Sequence, residues 1–158
     1  MNSFYENFKR LLMNPVFMSA ITSWFCAQFI KTIINLLSRR IKNIKELFEL
    51  LFWRTGGMPS SHTALVCAIS TSIGWHSGVD SDIFVLSICF MLVVVRDALG
   101  VRRASGVQAK SINEIGRALH KKEITKFNPI KEIHGHNPLE VVVGAILGVS
   151  IGVAFSLL

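Results

Sequence analysis

Four long apolar runs constrain the fold of this chain more than any other feature of its sequence. They cover residues 15–37, 63–75, 83–95 and 138–158, and they carry almost no charge. Apolar residues that follow one another without interruption are typical of helices that cross a membrane. The balance of the whole chain agrees, because its mean hydropathy is +0.47 and only 17% of its residues are charged. We therefore predict a membrane protein.

The lengths of these runs and the segments between them predict the fold class. At ~1.5 Å per residue the first run can cross a hydrocarbon core of ~30 Å, whereas the second and third are short for a full crossing. Residues 39–54 are amphipathic and basic at their start, which predicts a helix lying in the membrane interface. A polar helix is predicted over 105–123. We expect an all-α, small multi-helix integral membrane bundle of about four hydrophobic helices and one interfacial amphipathic helix, forming a single domain over residues 1–158. The last run has a small-residue face for close helix packing, formed by Gly144, Gly148 and Gly152.

The distribution of basic residues predicts an orientation in the membrane. Five Lys and Arg residues lie in the loop 38–61 and nine in 96–135, whereas the turn at 76–82 has none. Since positive loops stay in the cytoplasm, we expect both basic loops there, in a bacterial inner (cytoplasmic) membrane. The net charge of +7 then points to anionic membrane lipids as partners and not to nucleic acid.

A glycine-rich turn leads into the second apolar run, with the sequence 56-GGMPSSHTALVC-67. A serine before a helix is typical of an N-cap, and this accounts for one of the two serines, Ser60 and Ser61. A helix N-terminus is also an anion site, and Gly57 would let the backbone approach a ligand closely. In that interpretation His62, in the first turn, can contact an oxygen of the anion. Both interpretations are open on the residues alone.

A second polar segment, 133-IHGHNPLE-140, precedes the last run. Asn137 and Pro138 have the pattern of an N-cap and first helical residue, and Glu140 would complete a capping box. Alternatively, Glu140 lies four residues after His136 and could fix the tautomer of its ring, leaving the other nitrogen as a nucleophile.

A metal site is the rival interpretation of the same segment. His134, His136 and Glu140 would be a plausible zinc set. The neighbouring basic residues, Arg102 and Arg103, would repel a divalent cation and favour a phosphate. We therefore expect no metal.

Two charged residues lie beside or within apolar runs. Asp97 follows the third run, where a carboxylate is costly unless a cation such as Arg96, Arg102 or Arg103 pairs with it. Lys31 interrupts the first run, and it either extends to the lipid headgroups or turns inward to a phosphate.

Three segments of the chain together resemble a known family. They are GGMPSSHTA, DALGVRRASGVQA and GHNPLEVVVGAILG. In combination they are similar to the divergent branch of the type 2 phosphatidic acid phosphatase superfamily, whose members are also described as related to acid phosphatases and vanadium-dependent haloperoxidases. The likeness runs from about Gln28 to Gly148.

The resemblance implies roles for individual residues. PSSH at 59–62 is similar to the second superfamily motif, proline-serine-glycine-histidine, with Ser61 in place of the glycine. His136 with Glu140 is similar to the end of the third motif, with glutamate in place of aspartate. Lys31 corresponds to the lysine that opens the first motif.

Two arginines of the superfamily pattern are not at their usual positions. The position six residues before His136 is Ile130, and the position seven residues after Lys31 is Ser38. We infer that two other basic residues take their role, Arg102 and Arg103. The chain is also shorter than the six-helix members, so a homo-oligomer that completes the pocket is a further expectation.

The resemblance implies a metal-independent phosphoric monoester hydrolase that acts on a lipid phosphate without a cofactor. His136 would attack phosphorus to form a phosphohistidine, with Glu140 holding its ring, and His62 would protonate the leaving oxygen and then activate water. The expected phosphate-binding groups are Lys31, Arg102, Arg103 and the amides around Ser60 and Ser61. The expected supporting residues are Gly57, Asp97 and His134. Activity should be highest at acidic to neutral pH, because one imidazole must be neutral and the other protonated.

Three other interpretations remain open. A catalytically inactive protein that binds lipid phosphate would bind without releasing phosphate. A metal site at His134, His136 and Glu140 would make the protein sensitive to chelators. A structural or transport-associated membrane subunit would tolerate replacement of His62 and His136.

Overall fold

The computed structural model describes residues 2–38, 57–130 and 138–158, without the side chains of Asn2, Arg102 and Arg103. These residues form six α-helices and no strand, which confirms the all-α prediction. The helices are α1 (Asn2–Leu12), α2 (Pro15–Leu37), α3 (Ser61–Ser77), α4 (Asp82–Leu99), α5 (Val101–Lys121) and α6 (Pro138–Leu157). The interfacial helix expected over 39–54 lies outside the described residues.

Three stretches of helix in the described residues are long and apolar enough to cross a membrane. They are Pro15–Leu37, Asp82–Lys121 and Pro138–Leu157. The beginning of α2 follows from its sequence, because the Asn14 side chain accepts hydrogen bonds from the Val16 and Phe17 amides at 2.9 and 3.1 Å. Pro15 then takes the first helical position, where its missing N–H costs nothing.

The fourth hydrophobic helix, α3, is the centre of the bundle and is not long enough to be counted among these spans. It packs against α2, α4 and α6, and most of the small side chains along it are buried. Its 17 residues extend over only ~26 Å, less than the ~30 Å of a hydrocarbon core. The expectation that this run is short for a full crossing therefore agrees with the structure, and neighbouring helices surround α3 on several sides.

The glycines of α6 lie against α3, as the small-residue pattern predicted. Gly144 lies beside Ser60, Gly148 beside Ala64, and Gly152 beside Thr71. Because each step of four residues on α6 matches a later position on α3, the two helices run parallel. A Cβ atom at Gly144 would be 2.5 Å from the Ser60 carbonyl oxygen, so only glycine allows this approach.

The register between α3 and α4 is antiparallel. Cys67 Sγ lies 3.6 Å from Met91 Sδ, and seven residues further along α3 the Phe84 ring packs on Gly74. Continuing this register six residues in the other direction places Asp97 level with Ser61. The C-terminal end of α4 and the N-terminal end of α3 are therefore at the same end of the bundle.

The sequence patterns above did not predict α1. Its apolar residues recur at helical spacing and are exposed, with Phe4 79% and Phe8 49% exposed, and their rings stack with centroids 6.4 Å apart. The helix is amphipathic and touches only α2 among the described helices. The signal that could have revealed it is the spacing of Phe4, Phe8 and Leu11.

Candidate functional site

Lys31, on α2, is the most unusual residue near the N-terminal end of α3. Its side chain is 2% exposed, although it carries an ammonium group on a helix long enough to span a membrane. Its Nζ donates a hydrogen bond to Gln28 Oε1 at 3.1 Å. Lys31 therefore turns inward and does not extend to the headgroups, and its binding of a phosphate stays a prediction.

Gly57 lies against the stem of Lys31. A Cβ atom at this glycine would be 3.7 Å from Lys31 Cγ, which is ordinary contact. The glycine is required by its backbone instead, because its φ of +93° is strained for any L side chain. The turn before α3 thus bends over Lys31 at a position that only glycine adopts freely.

Ser60 caps α3, as its position before the apolar run predicted. Its Oγ accepts hydrogen bonds from the Thr63 amide at 3.4 Å and from Thr63 Oγ1 at 3.0 Å. Its own amide donates to the Glu140 carbonyl oxygen at 2.9 Å. Ser60 is fully buried and Ser61 is 3% exposed, so these serines belong to the packing between α3 and α6.

Glu140 adds a residue of a third helix, α6, to the site formed by Lys31 on α2 and Ser60 before α3. It is in the first turn of α6, it is half-buried, and its carboxylate interacts electrostatically with the Lys31 ammonium. Its backbone carbonyl is the acceptor for Ser60 described above. Side chain and main chain of Glu140 therefore connect α6 to both α2 and α3.

His62 is the half-exposed member of the PSSH turn, whereas the residues on either side of it are buried. It occupies the second position of α3, where the helix dipole presents partial positive charge. An anion approaching this turn from outside would meet the imidazole before it met the serines.

Asp97 is half-buried in the last turn of α4, at the same level of the bundle as Ser61. Arg102 and Arg103 follow in the first turn of α5, two and three residues beyond Gly100. The structure thus brings the helix ends that carry these residues to one end of the fold.

His134 and His136 lie outside the described residues, in the segment 131–137. The chain enters this segment at Ile130 and leaves it at Pro138, the first residue of α6. Their distance from His62 stays a prediction. Within the described ranges, no group of three or more His, Cys, Asp or Glu side chains is arranged to hold a metal ion.

Sequence reasoning missed Gln28 as a member of the site. It is 4% exposed, its side-chain oxygen holds Lys31 Nζ, and its backbone carbonyl accepts from Thr32 Oγ1 at 2.8 Å. The available signal was its spacing, because residues three apart on a helix share a face. A second polar residue three positions before the only lysine of an apolar run is a recognisable pattern.

The residues of this site all lie within the part of the chain that matches known proteins. A family model described as "Divergent PAP2 family" matches residues 12–151. An uncharacterized membrane protein of Bacillus subtilis (strain 168), YuiD, is 36% identical over an alignment of 150 residues, and the match covers 88% of this chain and 92% of the relative. No solved structure matches the chain. The apolar helices and the description of this relative agree that the chain is a membrane protein.

Proposed function

The chain belongs to the divergent PAP2 family, and from this premise we propose that it is a metal-independent phosphatase that hydrolyses a lipid phosphate through a phosphohistidine. The site would be at the cytoplasmic face of a bacterial inner membrane, where the basic loops are expected. The substrate is defined by its chemistry, a phosphate monoester on a hydrocarbon-bearing alcohol.

One observation carries the proposal: three segments that are distant in the chain, and that carry residues resembling the three superfamily motifs, meet around the Lys31 side chain and Glu140. Lys31 comes from the first, Gly57 and Ser60 from the second, and Glu140 from the third. An ionisable residue buried within a membrane helix is costly, and it is commonly part of a functional site.

The proposed reaction proceeds in two displacements. A ring nitrogen of His136 attacks phosphorus as the bond to the leaving oxygen breaks, and His62 donates a proton to that oxygen. His62 then takes a proton from water, whose oxygen attacks the phosphohistidine and releases inorganic phosphate and His136. Glu140 would hold the ring of His136, and Lys31 would neutralise charge on the transferred group.

The remaining site residues would complete the phosphate pocket. Arg102 and Arg103 would take the place of the two family arginines, since guanidinium groups bind phosphate oxygens in pairs. The Ser60 amide donates to the Glu140 carbonyl oxygen, so we assign the helix N-terminal contribution to the amide of Ser61. Asp97 and His134 would orient these groups.

Phosphate release from purified protein tests the proposal. The chain is purified in detergent and mixed with phosphatidate micelles, and inorganic phosphate is measured for wild type, His136→Ala and His62→Ala. His76→Ala is the matched control, because His76 is exposed at the opposite end of α3. We expect loss of release in the first two variants, normal release in the control, inhibition by vanadate and indifference to EDTA. Equal release by wild type and His136→Ala would refute the mechanism.

A non-catalytic lipid-phosphate-binding protein is the second candidate function. It is favoured by one observation, that the family arginine six residues before His136 is replaced by Ile130. This candidate predicts that wild-type protein retains phosphatidate in a sedimentation assay and releases no phosphate. Binding that depends on Lys31, without turnover, would establish it.

A further inference from the structure

The proposed site does not account for the length of α5 or for its exposed surface. The preceding helix α4 has 18 residues and covers ~27 Å, which is close to the thickness of a hydrocarbon core. Gly100 separates α4 from α5, with backbone angles of −102° and −80° that depart from those of a helix. Of the described helices, α5 contacts only α4. It therefore begins where the membrane span ends and has no place in the helix bundle.

One face of α5 is covered by the chain that follows it. The Asn113 side chain is 1% exposed, donates to the Ile130 carbonyl and accepts from the Ile130 amide, each at 2.9 Å. Three residues later the Phe127 ring packs on Gly116 so closely that a side chain there would collide with it. Residues 122–130 are thus folded back along α5, and they cover this face only.

A second face of α5 is exposed, and its apolar residues are concentrated in the C-terminal half of the helix. Its members are spaced at helical intervals and are 67%, 50%, 62% and 37% exposed, in the order Val101, Ile112, Ile115 and Leu119. The opposite face is exposed and basic, with Lys110, Arg117 and Lys121. Glu114 lies near Lys110, with 4.0 Å between the charged atoms, and the pair is exposed.

We propose that α5 lies on the membrane surface, with its apolar face at the boundary between headgroups and acyl chains and its basic face among anionic headgroups. Helices that lie on a membrane surface are typically long and amphipathic, with Lys and Arg on the polar face. Because α5 follows α4 directly in the chain, it is held next to the bilayer that α4 crosses. Its charge is complementary to an anionic leaflet.

A second copy of the chain is a poorer occupant of the same face. A two-stranded helical seam along α5 would have to include Ser105 and Gln108 between Val101 and Ile112, so half of its length would be polar. The proposal does not depend on the phosphatase reaction, because it rests on α5 alone.

Spin-label accessibility in bilayers tests the proposal. Full-length chain is prepared with Cys26 and Cys89 replaced by Ala, while Cys67 is kept because it is buried. Single labels are attached at Ile115→Cys and, separately, at Lys110→Cys. The protein is placed in vesicles of phosphatidylcholine alone or with phosphatidylglycerol, and collisions with oxygen and with a water-soluble nickel chelate are measured. A label at Ile146→Cys on α6, which is 62% exposed on a membrane span, controls for correct insertion.

The expected result is opposite accessibility at the two positions of α5. The Ile115 label should collide more with oxygen than with nickel, the Lys110 label should show the reverse, and the difference should grow when phosphatidylglycerol is present. Replacing Lys110, Arg117 and Lys121 with Gln should remove the dependence on phosphatidylglycerol. Equal collision with nickel at both α5 positions, with the Ile146 control inserted, would overturn the proposal. Spin–spin broadening at Ile115 between copies would overturn it in favour of a second copy.

Discussion

Replacing Gly144 with alanine perturbs the contact that joins α6 to the N-terminus of α3. The new Cβ would be 2.5 Å from the Ser60 carbonyl oxygen and 3.2 Å from the Ser60 amide nitrogen. Since real Cβ atoms do not approach other atoms within 3.0 Å, α6 must move by at least about 0.5 Å. The 2.9 Å bond from the Ser60 amide to the Glu140 carbonyl would lengthen beyond the usual range.

Two quantities should change in Gly144→Ala. Overpacking costs ~1–3 kcal/mol, and the better helix propensity of alanine returns ~1 kcal/mol, so the free energy of unfolding should fall by roughly 0–2 kcal/mol. Because Glu140 moves relative to Lys31, kcat/KM for phosphate release should fall on the order of 10- to 100-fold, as expected for sub-ångström to ångström displacements in a site. Thermal unfolding in detergent and phosphate release measure the two effects separately.

Gly152→Ala is the matched control on the same pair of helices. Its Cβ would be 2.8 Å from Thr71 Cβ and 3.0 Å from the Ala68 carbonyl oxygen, so packing is perturbed to a similar degree. The position is two turns further from Glu140, and activity should remain close to wild type. If both variants lose stability equally and Gly144→Ala keeps full kcat/KM, the contact with Ser60 does not position the site.

Three further predictions concern single side chains. Lys31→Met should reduce kcat/KM on the order of 100-fold, because a charge that would stabilise the transferred phosphate is lost. Its Tm should also fall, because Gln28 and Glu140 lose the ammonium group that they contact. Normal turnover would remove Lys31 from the site. Gly57→Ala should lower the unfolding free energy by ~1–2 kcal/mol, because the backbone there has a positive φ. The control Gly106→Ala, inside α5, should be neutral or stabilising. Equal shifts of Tm in the two variants would contradict this prediction. Asn113→Ala should speed hydrogen exchange at the Ile130 amide by removing a buried acceptor, worth ~1–3 kcal/mol; unchanged exchange would show that other contacts hold this segment.

Local patterns predicted the parts of the fold that depend on neighbouring residues. The apolar runs became helices, the serine before the second run became its cap, and the glycines of the last run became a packing face. Each of these follows from interactions between residues close in the chain, such as helix periodicity and the capping of orphan amides. The amphipathic α1 was also encoded locally, although the pattern was not recognised.

The site was only partly predictable from these patterns. Lys31 and Glu140 were selected from separate motifs, and the folded chain brings their charged groups into electrostatic interaction. Their roles toward a phosphate stay predictions. The role of Gln28 was not foreseen, although its position three residues before Lys31 places both side chains on one helix face. The segment 131–137, with His134 and His136, lies outside the described residues, so their roles stay predictions.

The amino-acid order alone decided that this is an all-α membrane protein, because apolar length and helical spacing are properties of one segment at a time. Only the folded arrangement decided that α3 lies at the centre and that Lys31 turns inward to Gln28 and Glu140. A lysine near the end of an apolar helix is compatible with either direction. The choice depends on which distant helix supplies a partner, and that partner is supplied by the close approach of α6 to α3 at Gly144.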